Sequence, residues 1–251
     1  MNLRSIFSRN ESSSSPRPRT SPRELARHGA LLSKSARDHE RMSAIVALSK
    51  IGTPEAAVWL LSRFAFSIET QITDRDEKDA AFAGLVGIGI EALPAIRGYC
   101  RRAESVQWAL RVMREILEPE DLATELLDLL QDWDNEYARN PEPKVQVVAA
   151  FADVLDERIA PALERFLGDV HEPTRFYAVS SILAQNDPSS AEVLVVALLS
   201  EEAQRTRDRI TIGLFEKKWP VPAAYRLQVA ARLPRGLRLD DAARIVESSR
   251  R

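Results

Sequence analysis

The sequence predicts an all-α fold, an α-solenoid of about six to seven helical pairs, and three observations carry the prediction. A pattern recurs from residue 41 to 220: a basic residue, a small or apolar residue three on, a large apolar residue seven on, then Pro or Glu about thirteen on. Its copies are Arg41, Ala44, Leu48, Ile51, Pro54; Lys78, Ala81, Leu85, Ile88, Glu91; Arg175, Ala178, Ile182, Pro188; and Arg207, Ile210, Leu214, Pro220. Val106, Ala109, Met113, Ile116, Pro119 keeps the apolar skeleton without the cation, and a looser copy near Val145 needs a one-residue slip. Successive anchors at 41, 78, 106, 145, 175 and 207 give a period near that of stacked helical pairs. Composition agrees: nine glycines and 6% aromatic residues disfavour all-β or glycine-loop α/β folds, and Ala, Leu, Arg and Glu dominate as helices require.

The elements follow in order. Residues 1–20, with four consecutive serines and two Pro-Arg pairs, have too little apolar surface to offset ordering entropy and read as a disordered basic tail, set apart from a repeat domain at 21–251. Their only apolar cluster is Leu3, Ile6 and Phe7, and an organelle transit peptide or a docking tail shares this Arg/Ser-rich composition. Ser21-Pro22-Arg23-Glu24 combines an N-cap, a proline in the first turn and a capping-box glutamate, so it opens a helix over 22–33. Gly52-Thr53-Pro54-Glu55 ends a helix over 38–51 and starts one over 54–66, where Ala56, Trp59, Leu60 and Phe64 keep helical spacing. Apolar spacing of three and four continues through helices at 75–88, 91–102, 105–117, 119–137, 142–155, 157–168 and 173–185. Asn186-Asp187-Pro188 marks the next stop, followed by helices at 188–200, 204–217, 221–233 and 239–249. Connections of two to six residues, apart from 67–74, force antiparallel neighbours.

Charge is unevenly distributed behind a formal net of -2. Residues 1–41 hold nine basic and four acidic side chains, and 203–251 hold twelve and five, whereas 42–202 hold 14 and 28. Opposed blocks suit charged partners or contacts between the ends and the middle. The acidic middle makes duplex nucleic acid an unlikely partner, because phosphate neutralisation supplies most nonspecific affinity. Cys100 cannot form an internal disulfide and points to a reducing compartment, so a cytoplasmic location is expected. No run approaches the roughly 20 apolar residues of a membrane span.

Particular segments carry a family resemblance. LGDVHEPTRFYAVSSIL and LLSEEAQRTRDRITIGLF resemble HEAT repeats, and GIEALPAI and IGTPEAAVWLL are similar to the short HEAT-like repeats of phycobilin lyases. The chain also resembles an uncharacterised bacterial group of HEAT-repeat proteins through RFxF at Arg63 to Phe66, DxxEK at Asp74 to Lys78 and YxRNPxxK at Tyr137 to Lys144. The resemblance covers residues 22–233 and implies a structural ladder of acids and arginines from adjoining repeats, here Asp169, Arg175, Glu201 and Arg207. It implies no activity.

Two surfaces are candidates for binding. If the helices opening at the anchors stack side by side, Lys78, Trp108, Arg111, Gln146, Tyr177 and Arg209 fall on the concave face, where Trp and Tyr beside Arg make interface anchors. The helix at 119–137 is the other: nine acids and no Lys or Arg lie between Glu115 and Tyr137, with Asp121, Glu125, Asp128 and Asp132 on one face and Leu122, Leu126, Leu129, Trp133 and Tyr137 on the opposite one. That stripe could receive a basic segment of a protein partner, a cation or the chain's own basic tail, or serve as a solvated face.

Enzymatic readings are weaker. His39-Glu40 and His171-Glu172 resemble the pairs of deoxyhypusine hydroxylase, a HEAT-repeat di-iron enzyme, but the two pairs differ in register and a di-iron centre wants about four such contributions. A bilin-lyase-like role rests on repeat similarity alone, and a HEAT-like DNA glycosylase would want a continuous basic groove. No phosphate loop, zinc spacing or serine elbow occurs. The expectation is a non-enzymatic adaptor or scaffold that binds another protein, with no catalytic residue, metal or cofactor.

Overall fold

The computed structural model describes residues 21–248. The expected tail at 1–20 lies outside the described residues. The fold is all-α with one short strand pair. Among the described residues there are thirteen α-helices: α1 Pro22–Ala30, α2 Asp38–Ile51, α3 Pro54–Ser62, α4 Gln71–Ile88, α5 Leu93–Cys100, α6 Gln107–Ile116, α7 Pro119–Leu130, α8 Glu142–Ala150, α9 Ile159–Leu163, α10 Glu172–Gln185, α11 Ala191–Ser200, α12 Gln204–Lys217 and α13 Arg226–Arg232. α2 packs on α4, and contacts continue from α4 to α6, α6 to α8, α8 to α10 and α10 to α12; α3 packs on α5, α7 on α9 and α11 on α13.

The repeated apolar positions face the core. Ala44, Leu48, Ala81, Leu85, Ala109, Met113, Ala178, Ile182, Ile210 and Leu214 are all buried. Small residues let neighbouring helices approach closely: a Cβ on Gly213 of α12 would fall 2.2 Å from the Leu183 side chain of α10. Leucine fits there only because glycine leaves the space.

Ion pairs bind successive helices at their starts. Glu77 of α4 is wholly buried and accepts from Arg41 of α2 at 2.9 Å and from Arg63, after α3, at 2.6 Å. Arg63 also donates to Asp74 at 2.6 Å, and Asp74 accepts from Lys78 at 2.7 Å. Burial alone would raise the Asp74 carboxyl, but hydrogen bonds from Lys78 and Arg63 outweigh it and hold the group below the usual carboxylate range. Farther along, Lys144 of α8 donates to Asp169 at 2.6 Å, and Arg175 of α10 grips Glu201 with two bonds of 2.7 and 2.8 Å. Arg207 donates to Gln204 and has no ion pair among the described residues.

Several boundaries differ from the sequence expectation, each for a local reason. The helix expected to start at 75 begins at Gln71, because the Asp74 carboxylate captures the Ile68 N–H and shortens the link. α7 stops at Leu130 instead of 137, since Lys144 draws the carbonyls of Asp134 and Glu136 toward its ammonium and out of any helical ladder. α8 ends at Ala150, where the Gln185 amide donates to the Phe151 and Val154 carbonyls. The looser repeat copy begins at Lys144, not Val145: Val147 and Phe151, three and seven on, are fully buried.

The helix expected at 239–249 is absent. Leu237–Leu239 pairs antiparallel with Ile245–Glu247, with Leu239 opposite Ile245. The Asp240 carboxylate accepts from the Arg244 N–H and Ala243 adopts φ 60°, closing a turn that places buried Ile245 against α12. Packing overrides the helical propensity expected of this segment.

Among the described residues, the helical run 71–100 is long enough to cross a membrane and contains an 18-residue window of mean hydropathy 1.5. It consists of α4 and α5 turned at Gly89, which takes φ 74°, and its Ala81, Leu85 and Ile96 are core residues. Its apolarity is that of a helix pair packed within the fold.

Candidate functional site

α6 buries Ala109, Val112 and Met113, which turns Trp108 and Arg111 toward the opposite side. Trp108 is half-buried: it stacks on Phe64 at 5.5 Å and meets Phe82 edge-on at 6.4 Å. The exposed Arg111 guanidinium lies 4.2 Å over the Trp108 ring and 5.0 Å over Phe82. Two aromatic faces therefore fix the direction of a cation that has no ion pair among the described residues.

Beside Arg111 runs a groove of about 500 Å³ between α6, α8 and α10, lined by Leu110, Arg114, Val145, Gln146, Ala149 and Tyr177. Gln146 also holds the groove together. Its carbonyl accepts from the Val106 N–H at 2.6 Å, and its amide donates to Ser105 and Glu142. Tyr177, half-buried, meets Phe176 edge-on at 5.4 Å. Arg114 is paired with Asp153 at 2.6 Å across the groove. The wall is thus mixed: Leu110, Val145, Ala149 and Tyr177 give it apolar surface, Gln107, Glu142, Gln146 and the Arg114–Asp153 pair make it polar, and Arg111 stands at its edge without an ion pair among the described residues.

The predicted residues divide. Arg111, Gln146 and Tyr177 come together at this groove, with Trp108 behind Arg111. Arg209 lies on α12, outside it, donating to Ser180 at 3.1 Å. Lys78 is not on a binding face: its side chain is 10% exposed, and its ammonium is held by Asp74 and by Ser67 at 3.1 Å. The burial that its repeat position imposes on Arg41 and Lys144 applies to it equally.

The acidic stripe is not unrelieved. Arg97 of α5 makes a two-pronged contact with buried Glu125, and Arg101 reaches Asp132 at 3.1 Å. Only Asp121 and Asp128 of the four lack an ion pair among the described residues. Asp132 lies past the end of α7, and Tyr137, expected on the apolar face, is 82% exposed because the helix has ended.

The His-Glu pairs are occupied elsewhere. Glu40 accepts from the Arg37 N–H at 3.0 Å, and Glu172 accepts from Thr206 at 2.6 Å. Among the described residues no three His, Cys, Asp or Glu side chains converge as a metal site. Cys100 is buried, and burial pushes its thiol up to about 12.

Sequence reasoning missed a second groove, of about 620 Å³, between α3 and α5. Val58, Leu61, Ala65, Pro94, Ala95 and Tyr99 line it. The available signal was Val58, an apolar residue on the α3 face opposite Ala56, Ala57 and Leu60.

No protein-family model matches the chain, and no curated protein matches it.

Proposed function

We propose that the chain is a non-enzymatic adaptor, a stack of HEAT-like repeats that binds another protein through the groove of Arg111, Gln146 and Tyr177. The carrying observation is Arg111 itself, an exposed guanidinium oriented by Trp108 and Phe82 at the edge of a cleft that combines the apolar surface of Leu110, Val145 and Tyr177 with polar side chains. Tyrosine, tryptophan and arginine are the side chains that most often dominate protein interfaces. The stacked arrangement is supported by the sequential contacts from α2 to α12 and by the paired cations Arg41, Lys144 and Arg175 near the starts of three of the repeats. A reducing, cytoplasmic setting suits the lone buried thiol of Cys100.

The test uses the tagged full chain to capture partners from a lysate of its source cells, then measures binding with the purified partner. Arg111→Ala with Tyr177→Ala should weaken binding by at least about tenfold, roughly 1.4 kcal/mol, with helicity unchanged. Undiminished affinity refutes the groove. Asp121 and Asp128, the two stripe acids without an ion pair among the described residues, support a second reading in which a basic segment docks there. Reversing those two to Lys separates the readings, since Glu125 is buried with Arg97 and its reversal would damage the fold.

A further inference from the structure

The groove between α3 and α5 is apolar, and Val58 at its wall is 56% exposed. Tyr99 lines it too, and its buried hydroxyl is the one buried side-chain polar atom among the described residues that lacks a hydrogen-bond partner. The lining favours an occupant that brings apolar surface, and an acceptor on it reaches the Tyr99 hydroxyl once the ring turns toward the groove.

Such a segment lies in this chain. Among residues 1–20 the only apolar cluster is Leu3, Ile6 and Phe7, whose spacing of three and four matches the anchors of helix-in-groove recognition. Asn2, Ser5 and Ser8 beside them carry acceptors for the Tyr99 hydroxyl.

The reach is sufficient. α1 lies against α3, with Gly29 so close to Trp59 that a Cβ would fall 2.1 Å from its ring, and α1 is nine residues long, about 13 Å. Residues 8–20 leave a connector that spans about 20 Å as a coil and at most about 43 Å extended. We propose that Leu3, Ile6 and Phe7 dock in the α3–α5 groove of their own chain, so that this groove is self-occupied until the segment is displaced. The inference is independent of the adaptor reading.

The experiment introduces Val58→Cys into the full chain and follows its alkylation by a maleimide, with buried Cys100 as the unreactive internal control. For an effective concentration of about 1 mM and an intrinsic dissociation constant of about 0.1 mM, docking slows the reaction about tenfold. Ile6→Asp with Phe7→Asp should restore the fast rate, and the protection should not change with protein concentration. Equal rates with and without those substitutions overturn the proposal. Protection that grows with protein concentration overturns it in favour of a second copy. If Val58→Cys exposes Cys100 by unfolding, the same comparison at exposed Glu55→Cys decides.

Discussion

Removing the Glu77 carboxylate should destabilise the protein more than any change to its exposed ion pairs. Glu77 is fully buried between Arg41 and Arg63, which are 1% and 0% exposed. Glu77→Ala leaves two guanidiniums buried without their shared counter-charge, although Asp38 still reaches Arg41 at 2.5 Å and Asp74 still reaches Arg63 at 2.6 Å. Breaking a buried pair from one side costs about 3–5 kcal/mol. For a chain of this size each kcal/mol moves the melting temperature by about 2–4 °C, so the expected loss is about 6–20 °C. Glu77→Gln, which keeps the volume and an acceptor but not the charge, should fall between the parent and Glu77→Ala. The control is Asp79→Ala, which removes an exposed pair with Arg75 at 3.6 Å and should shift melting by less than about 2 °C. Thermal unfolding followed by circular dichroism at 222 nm reads all three. A Glu77→Ala midpoint within 2 °C of the parent would refute the view that this cluster ties α2, α3 and α4 together.

Three further outcomes follow. Burial raises the Glu201 carboxyl, but the Arg175 hydrogen bond and the Ala203 N–H outweigh it and hold the group low; its stabilisation is present above the unfolded value near 4.3 and is lost as pH falls through the lower folded value, so Glu201→Gln should flatten the loss of melting temperature below about pH 4. Gly213→Val should lower stability by about 1–3 kcal/mol through overpacking against Leu183, measured by urea denaturation; an unchanged midpoint would show that α10 and α12 do not approach closely. Cys100, whose thiol burial pushes up to about 12, should resist alkylation at pH 8 in the native protein and react fully in denaturant; fast native reaction would contradict its placement in the core.

Much of the fold was legible because the repeat pattern reports burial directly. Ala44 and Leu48, Ala178 and Ile182, and Ile210 and Leu214 occupy the core positions that their spacing assigns. The Val145 register failed because the cation of that copy, Lys144, stands one place earlier, and a cation in a core-facing position is easily read as surface. Lys78 was misplaced for the same reason: only the three-dimensional neighbours Asp74 and Ser67 show that its charge is satisfied inside. The RFxF, DxxEK and YxRNPxxK elements held that information, since Arg63, Asp74, Glu77, Lys78 and Lys144 all take part in the buried ion pairs, with Arg41 and Asp169 as partners from outside those elements. Pairing of Glu125 and Asp132 with Arg97 and Arg101 was hidden because it joins residues 28 and 31 apart, on or just past the ends of different helices. The terminal strand pair escaped because Asp240 sets its turn through a backbone contact, in a segment whose composition favours helix.

The central claim is that a protein partner lies on the groove of α6, α8 and α10, and hydroxyl-radical footprinting of the purified complex tests it most directly. Aromatic side chains mark both candidate surfaces: Trp108 and Tyr177 at the groove, Trp133 and the 82% exposed Tyr137 beyond the end of the acidic α7. Partner binding should slow oxidation of Trp108 and Tyr177 and leave Trp133 and Tyr137 unchanged. Protection of Trp133 and Tyr137 with Trp108 and Tyr177 oxidised at their free rates would contradict the account.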